Sequence, residues 1–276
     1  MKIVLQDWKY GRIMRYTNDM YIGNSVGLYG EYAHDEMELY KQLLKLGDTV
    51  IEVGANIGTL TVPIAQYVGN EGKVYAFEPQ RITFQVLCGN IVLNNLYNVW
   101  TYNCGVGNEH KKVKIFEGQL GINNGAFRIS DWPGNYEIDI VALDEYNFKN
   151  CDLLKVDAEG MDTEVIQGAE NLIKQCQPYI IMEANYTKAG KEIVKKLQMI
   201  GYKLYEADCF LYSANNDFQV KENIFLQNQG TIKYTDGKAY DGTQMLNIMS
   251  PNWLCVPNNK NIKIVGDVVD MNKWKD

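Results

Sequence analysis

The sequence predicts an α/β fold built on an open, mostly parallel, Rossmann-like sheet, and three observations predict it. The stretch Thr49-Val-Ile-Glu-Val-Gly-Ala-Asn-Ile-Gly-Thr-Leu-Thr61 runs from a short apolar strand (Val50, Ile51, Val53) through a glycine turn into a helix start. A second strand, Lys73-Val-Tyr-Ala-Phe77, follows the turn and ends in Glu78-Pro79. Beyond it, apolar runs keep alternating with helical patterns, as in β-α-β units. With 276 residues and 46% hydrophobic content, the chain is long enough for one such domain with elaborations.

The turn carries the first chemical information. Gly54 permits a sharp reversal that other residues avoid, and Gly58 falls where a helix must begin close to the strand. Free N–H groups at such a helix start face an anionic or polar ligand. The dinucleotide pattern G-x-G-x-x-G is absent, because Asn56 holds the middle glycine place. What stands there is Glu52-x-Gly54-x-Asn56-x-Gly58. Glu78 is an acid at the end of the second strand, roughly twenty residues past the turn, where a carboxylate meets the hydroxyls of a ribose. The two motifs together imply a nucleoside-containing ligand.

With Leu154-Lys-Val-Asp-Ala-Glu-Gly160 and Glu183 after Tyr179-Ile-Ile-Met182, the order of motifs resembles the FkbM-type methyltransferases. The resemblance runs from Gly30 to Asn216, with an extension toward Pro257. It implies a class I methyltransferase sheet of seven strands with the last one antiparallel. It also implies S-adenosylmethionine (SAM) as cofactor and O-methylation of sugars or related hydroxylated natural products. On this reading residues 1–30 are a strand or hairpin extension and 31–257 the SAM-dependent domain. Within that domain 215–250 form a lid or flap, and 258–276 are a peripheral tail. Glu52, Gly54, Asn56, Gly58, Glu78 and Asp157 are the expected cofactor residues, with Gly105 and Val106 at the adenine. Tyr32 and Glu36 cap the cofactor in this picture, the alternative being an exposed helix start whose acids favour the dipole.

Taken in order, Arg12–Tyr16 and Met20–Ile22 read as short strands turning at Asn18-Asp19. A helix is expected over Asp35–Leu46, stopped by Gly47, and another over Thr59–Tyr67, with Pro63 tolerated near its start. Arg81–Asn94 reads as the next helix, and Val99–Asn103 as a strand closed by Cys104-Gly105-Val106. Residues 111–140 alternate like an antiparallel excursion with turns at Gly118, Gly121, Gly125 and Pro133-Gly134. Cys151–Val156 is the fourth strand, followed by a helix over Glu164–Gln175 and a fifth strand after Pro178. A helix over 191–200, a strand over Lys203–Tyr212 and a last strand over Pro251–Pro257 complete the chain. The segment from Asn215 to Ser250 has no steady period and is dotted with Phe218, Phe225, Tyr234 and Tyr240, which suits a lid or a flap with its own core.

Catalysis should lie beyond the carboxyl ends of the strands. There Asp157, Glu159, Glu183 and Asn185 converge, although Asp157 or Glu159 is also placed to cap the helix starting near Met161. An alcohol needs a base before it attacks, and the two histidines, His34 and His110, are poorly placed for the task. Glu159 is the first candidate base, with Asp157 and Glu183 next. Hard oxygen ligands such as Asp157, Glu183 and Asn185 leave a Mg-assisted reaction as an alternative, not the favoured one. A SAM- or carbohydrate-binding module without turnover is the non-enzymatic one. The loop Asp-Ala-Glu-Gly is not the Asn/Asp-Pro-Pro-aromatic turn of amino-methylating nucleic-acid enzymes. A net charge of −7 and a pI near 5.0 also argue against nucleic acid as partner. Six scattered cysteines without C-x-x-C spacing suit a reducing compartment, and no apolar run reaches membrane-spanning length. The expected protein is cytoplasmic, acting on a small-molecule or glycan acceptor.

Overall fold

The computed structural model describes residues 2–116, 134–184, 186–227, 246–247, 249–260 and 268–270. The chain opens with a hairpin, β1 (Ile3–Trp8) and β2 (Gly11–Tyr16), that turns at Lys9-Tyr10. The expected turn at Asn18-Asp19 is not there. Asp19 instead accepts the N–H groups of Tyr21 and Gly23 through Oδ1, at 3.1 and 2.9 Å, and Ile22–Tyr29 becomes a helix, α1. The second helix, α2 (His34–Leu43), ends where Leu44 turns extended, before Gly47 is reached.

The central order follows the sequence closely: β3 (Thr49–Val53), α3 (Thr61–Val68), β4 (Lys73–Phe77), α4 (Arg81–Leu93) and β5 (Val99–Tyr102). Gly105–Val106 (β6) does not close β5, as expected, but joins a separate three-stranded sheet with β7 (Lys111–Ile115) and β8 (Tyr136–Val141). The pairing of β7 with β8 is antiparallel, as the alternation over 111–140 implied, while the turns at Gly118, Gly121 and Gly125 lie outside the described residues. Next come β9 (Leu153–Val156), α5 (Asp162–Gln167), α6 (Glu170–Cys176), β10 (Tyr179–Glu183), α7 (Lys188–Met199) and β11 (Tyr202–Phe210). The single helix expected over 164–175 is two. Asp144 accepts the N–H groups of Asn171 and Leu172 at 2.9 and 2.8 Å, so α6 has its own start. Two-residue strands β12 (Leu226–Gln227) and β13 (Leu246–Asn247) pair with each other, and β14 (Met249–Pro257) and β15 (Val268–Asp270) end the chain.

The main sheet runs β15-β11-β14-β10-β9-β3-β4-β5. Its β5-β4-β3-β9-β10 half is parallel, and β14 inserts antiparallel between β10 and β11. This is the seven-stranded class I order with its antiparallel last strand. One strand is added: β15 from the tail pairs antiparallel with β11, so part of the tail belongs to the sheet.

Alternate residues of each strand serve opposite faces. Val50, Val74, Leu153 and Ile181 pack under α2 and α3, whereas Ile51, Leu154 and Ile180 pack under α5, α6 and α7. The hairpin is bound to α4 by side chains that imitate a strand edge. Asn90 bonds both backbone groups of Met14, at 2.7 and 3.0 Å, and Asn94 does the same for Arg12. Asn90 is fully buried and donates a further bond to Ile57 O at 2.7 Å, tying the hairpin to the β3–α3 turn.

Candidate active site

A cleft of about 360 Å³ opens at the carboxyl ends of β3, β4, β9 and β10. The β3–α3 turn forms its floor. Gly54 has φ of +80°, and a Cβ there would stand 2.0 Å from the carbonyl of Asp157. Glycine is required at that point because two strand ends touch. Asn56 takes a left-handed conformation, φ +51°, and its own Oδ1 accepts the N–H of Ile57 at 2.8 Å. Asparagine visits this region more readily than most residues, which explains its presence where other nucleotide turns have glycine.

Glu78 crosses the cleft to this turn. Its two oxygens accept the N–H groups of Asn56 and Gln80, both at 2.9 Å, and it is 4% exposed. Burial pushes its carboxyl up to about 7 against the pull of those two bonds. Asn103 supports it by donating to the carbonyls of Glu78 and Pro79 at 2.9 and 3.2 Å. Cys104, Gly105 and Val106 complete that end of the wall.

At the other end stands a charged group. Lys155 donates to Asp157 Oδ2 at 3.1 Å and reaches Gly54 O at 3.4 Å. Burial works against its charge, but Asp157, Glu52 and Glu36 more than offset that and hold it above the usual lysine range. Glu52 accepts the Thr61 hydroxyl at 2.6 Å through Oε2, while its Oε1 has no hydrogen-bond partner among the described residues. Burial pushes Glu52 up to about 7. Glu36, also raised chiefly by burial, accepts the hydroxyl of Tyr40, and Tyr32 lies beside it on the cleft wall.

The loop after β9 does not cap the following helix. No side chain caps α5, whose Asp162 reaches back to accept the N–H of Ala158 at 3.0 Å. Glu159 and Gly160 are successive left-handed residues, with φ of +47° and +94°. For glutamate that conformation is uncommon, and such local strain gathers at functional sites. Asp157 and Glu159 both line the cleft, as does Glu183 at the end of β10, across from Asn252 of β14.

All the expected site residues therefore line one cavity except two. Gly58 does not: its Cβ position faces Leu87 of α4 at 2.8 Å, so this glycine serves helix packing. Asn185 lies outside the described residues. The expectations missed Lys155, although a lysine inside the apolar run Leu153–Val156 was a visible signal. They also missed Tyr21 and Ile22, by which the N-terminal extension contributes wall to the cleft.

The histidines stay out of it. His34 bonds Glu31 at 3.0 Å, beside a Lys9–Glu31 ion pair, and His110 is exposed between Asp139 and Glu145. Among the described residues no three of His, Cys, Asp and Glu gather to hold a metal. The described part of the 215–250 segment is docked, not loose. Phe218 N donates to Tyr29 O at 3.1 Å, Ile224 N donates to the Tyr29 hydroxyl at 2.9 Å, and that hydroxyl donates to Glu222 O at 3.0 Å. Phe225 is buried beside Tyr29, so it is core for this flap, while Tyr234 and Tyr240 lie outside the described residues. No helix among the described residues is long and apolar enough to cross a membrane.

The family model of the methyltransferase FkbM domain matches residues 52–204. Methyltransferase 1 of Beauveria bassiana (strain ARSEF 2860) is 24% identical over 146 residues, covering 44% of this chain and 58% of that protein. Methyltransferase sdnD of Sordaria araneosa is 26% identical over 158 residues, covering 44% of this chain and 60% of that protein. The chain thus spans about three fifths of the length of the curated relatives it matches. The crystal structure of methyltransferase FkbM from Methylobacillus flagellatus KT is similar with a TM-score of 0.43 and 18% identity, over 60% of this chain and 43% of that one. It is the domain match, together with the strand order, that carries the assignment: the chain belongs to the FkbM methyltransferase family.

Proposed function

We propose that the protein is a SAM-dependent O-methyltransferase acting on a hydroxyl of a sugar, glycan or related hydroxylated compound. The observation that carries this reading is one cleft lined by two buried carboxylates, Glu78 and Glu52. Glu78 is proposed to accept ribose hydroxyls, and Glu52 Oε1 has no donor among the described residues. These acceptors suit a ligand with both hydroxyls and positive charge.

Bound SAM supplies an activated methyl on a sulfonium centre. Glu78 would hold the ribose and, through Asn56, keep the turn in shape. Cys104, Gly105 and Val106 supply the apolar wall for a base. Tyr32 and Glu36 cover the opposite end. Asp157, Glu159 and Glu183 face the space where an acceptor would sit, and Glu159 is the proposed proton acceptor with Asp157 assisting. Such a base contributes about 10²–10⁴-fold to the rate. Residues 211–227 are proposed to border the acceptor mouth, since Leu211 lines the cleft.

The test is methyl transfer from labelled SAM to a panel of glycans, free sugars and other hydroxylated compounds. Label in an alkali-stable ether on one acceptor class supports the reading. Label on nitrogen or on a carboxyl oxygen would replace it.

A further inference from the structure

Glu52 and Lys155 are direct register partners on adjacent parallel strands, so their side chains rise from one face of the sheet. Asp157, two residues beyond Lys155, is on the same side and bonded to it. Glu36 comes down onto this face from α2 and feels both Lys155 and Asp157. Three carboxylates therefore face one ammonium. Among the described residues the other groups turned toward them bring no further positive charge: Tyr40 from α2, Thr61 from α3, Tyr32 ahead of α2 and Glu78 at the end of β4.

The surplus is buried. Glu52 is 1% exposed and lines the cleft, and its Oε1 is closed off without a donor among the described residues. A buried carboxyl in that position takes up a proton or a positive ligand. The first of these fits the ligand-free state, in which burial raises both Glu36 and Glu52.

We propose that Glu36, Glu52 and Lys155 form a counter-charge cluster that tells the positively charged methyl donor from the neutral thioether it becomes. The proposal rests on the SAM reading above. In the transfer the sulfur–methyl bond breaks, sulfur keeps the electron pair, an oxygen–methyl bond forms, and the hydroxyl proton passes to the base. The ligand loses one positive charge in the process. With the donor in place, the cluster balances its surplus against the sulfonium and releases its proton. After transfer that balance is lost, and the cluster takes a proton back. Charge loss is thereby coupled to product release.

The experiment is calorimetric titration of the full chain with SAM, with its cationic amine analogue sinefungin, and with S-adenosylhomocysteine. It is run at pH 6 and pH 8 in buffers of different ionisation enthalpy. The ratio of SAM to S-adenosylhomocysteine affinity should rise about tenfold from pH 6 to pH 8, the size of a one-unit shift in a single carboxyl. Sinefungin should follow SAM. Proton release at pH 6 should accompany both cations and not the neutral product. Glu52→Gln should abolish that release and flatten the ratio, and Lys155→Met should move the rise to higher pH. A purely structural role would weaken all three ligands alike. Binding with a flat ratio in the unaltered protein overturns the cluster alone. Failure of all three ligands to bind overturns the SAM reading, and the cluster with it.

Discussion

The Glu78 carboxylate accepts the backbone N–H of Asn56 at 2.9 Å, joining two motifs that lie 22 residues apart in the chain. The acid at the end of β4 is thus part of the β3–α3 turn before any ligand arrives. The ribose-holding role proposed for it would be added to a structural one.

Glu78→Ala should therefore loosen the turn in the ligand-free protein. The amides of Asn56 and Gln80 lose their acceptor, and a buried donor left without a partner costs about 1–3 kcal/mol. Hydrogen exchange at both amides should quicken, and thermal stability should fall. Unchanged protection at Asn56 would mean that the turn holds its shape without Glu78.

The two glycines of the turn should part company on substitution. At Gly54 a Cβ meets the backbone carbonyl of Asp157 at 2.0 Å, and β3 and β9 would have to separate. Gly54→Ala should cost several kcal/mol and leave little folded protein, by the combined strain of the clash and the positive φ. At Gly58 the obstacle is the Cδ1 of Leu87, at 2.8 Å, the tip of a side chain and not backbone. Gly58→Ala should fold, lose about 1–2 kcal/mol to its φ of +88°, and still bind SAM. Urea unfolding of both variants checks this. Equal losses would show that one physical cause acts at both positions.

Stability should depend on pH through the buried acids. Glu52 and Glu78 titrate near 7 in the folded, ligand-free protein, above the ordinary glutamate value of 4.5. The folded state therefore binds protons more tightly than the unfolded chain between those values. These two groups cost nothing below about pH 4.5, cost increasingly more as pH rises to 7, and cost a constant amount above it. Glu52→Gln removes one such penalty. Its stability relative to the unaltered protein should improve from pH 5 to pH 8, by on the order of a few kcal/mol. A difference that stays constant with pH would place the raised titration elsewhere.

Much of this was legible in the sequence, for identifiable reasons. The strands β3, β4, β9 and β10 are buried on both faces and read as apolar runs, so the strand-end acids Glu78, Asp157, Glu159 and Glu183 fell into place together. What failed depended on long-range partners. The hairpin turn was misplaced because Asn18-Asp19 looks like a turn, yet Asp19 spends its carboxylate on the start of α1. Gly58 looked like a ligand contact, but its neighbour is Leu87, twenty-nine residues on and invisible to local patterning. Lys155 lies inside the Leu154–Gly160 motif, and a lysine in a strand gains meaning only once Glu52, Glu36 and Asp157 are seen around it.

Glu159→Gln is the direct probe of the proposed base. The change keeps the side chain's size and the left-handed turn at φ +47° while removing its ability to take a proton. SAM affinity should hold, and methyl transfer should fall by about 10²-fold or more. Single-turnover rates would show it. Turnover close to normal would pass the role to Asp157 or Glu183.

The measurement closest to the centre is calorimetric titration of SAM into the unaltered protein and into Glu78→Ala. The unaltered chain should bind one SAM, and the variant should bind at least about tenfold more weakly, as expected for loss of charge-assisted hydrogen bonds to two ribose hydroxyls. Absence of SAM binding in the unaltered chain, or equal affinity in the two proteins, would contradict the assignment of this cleft.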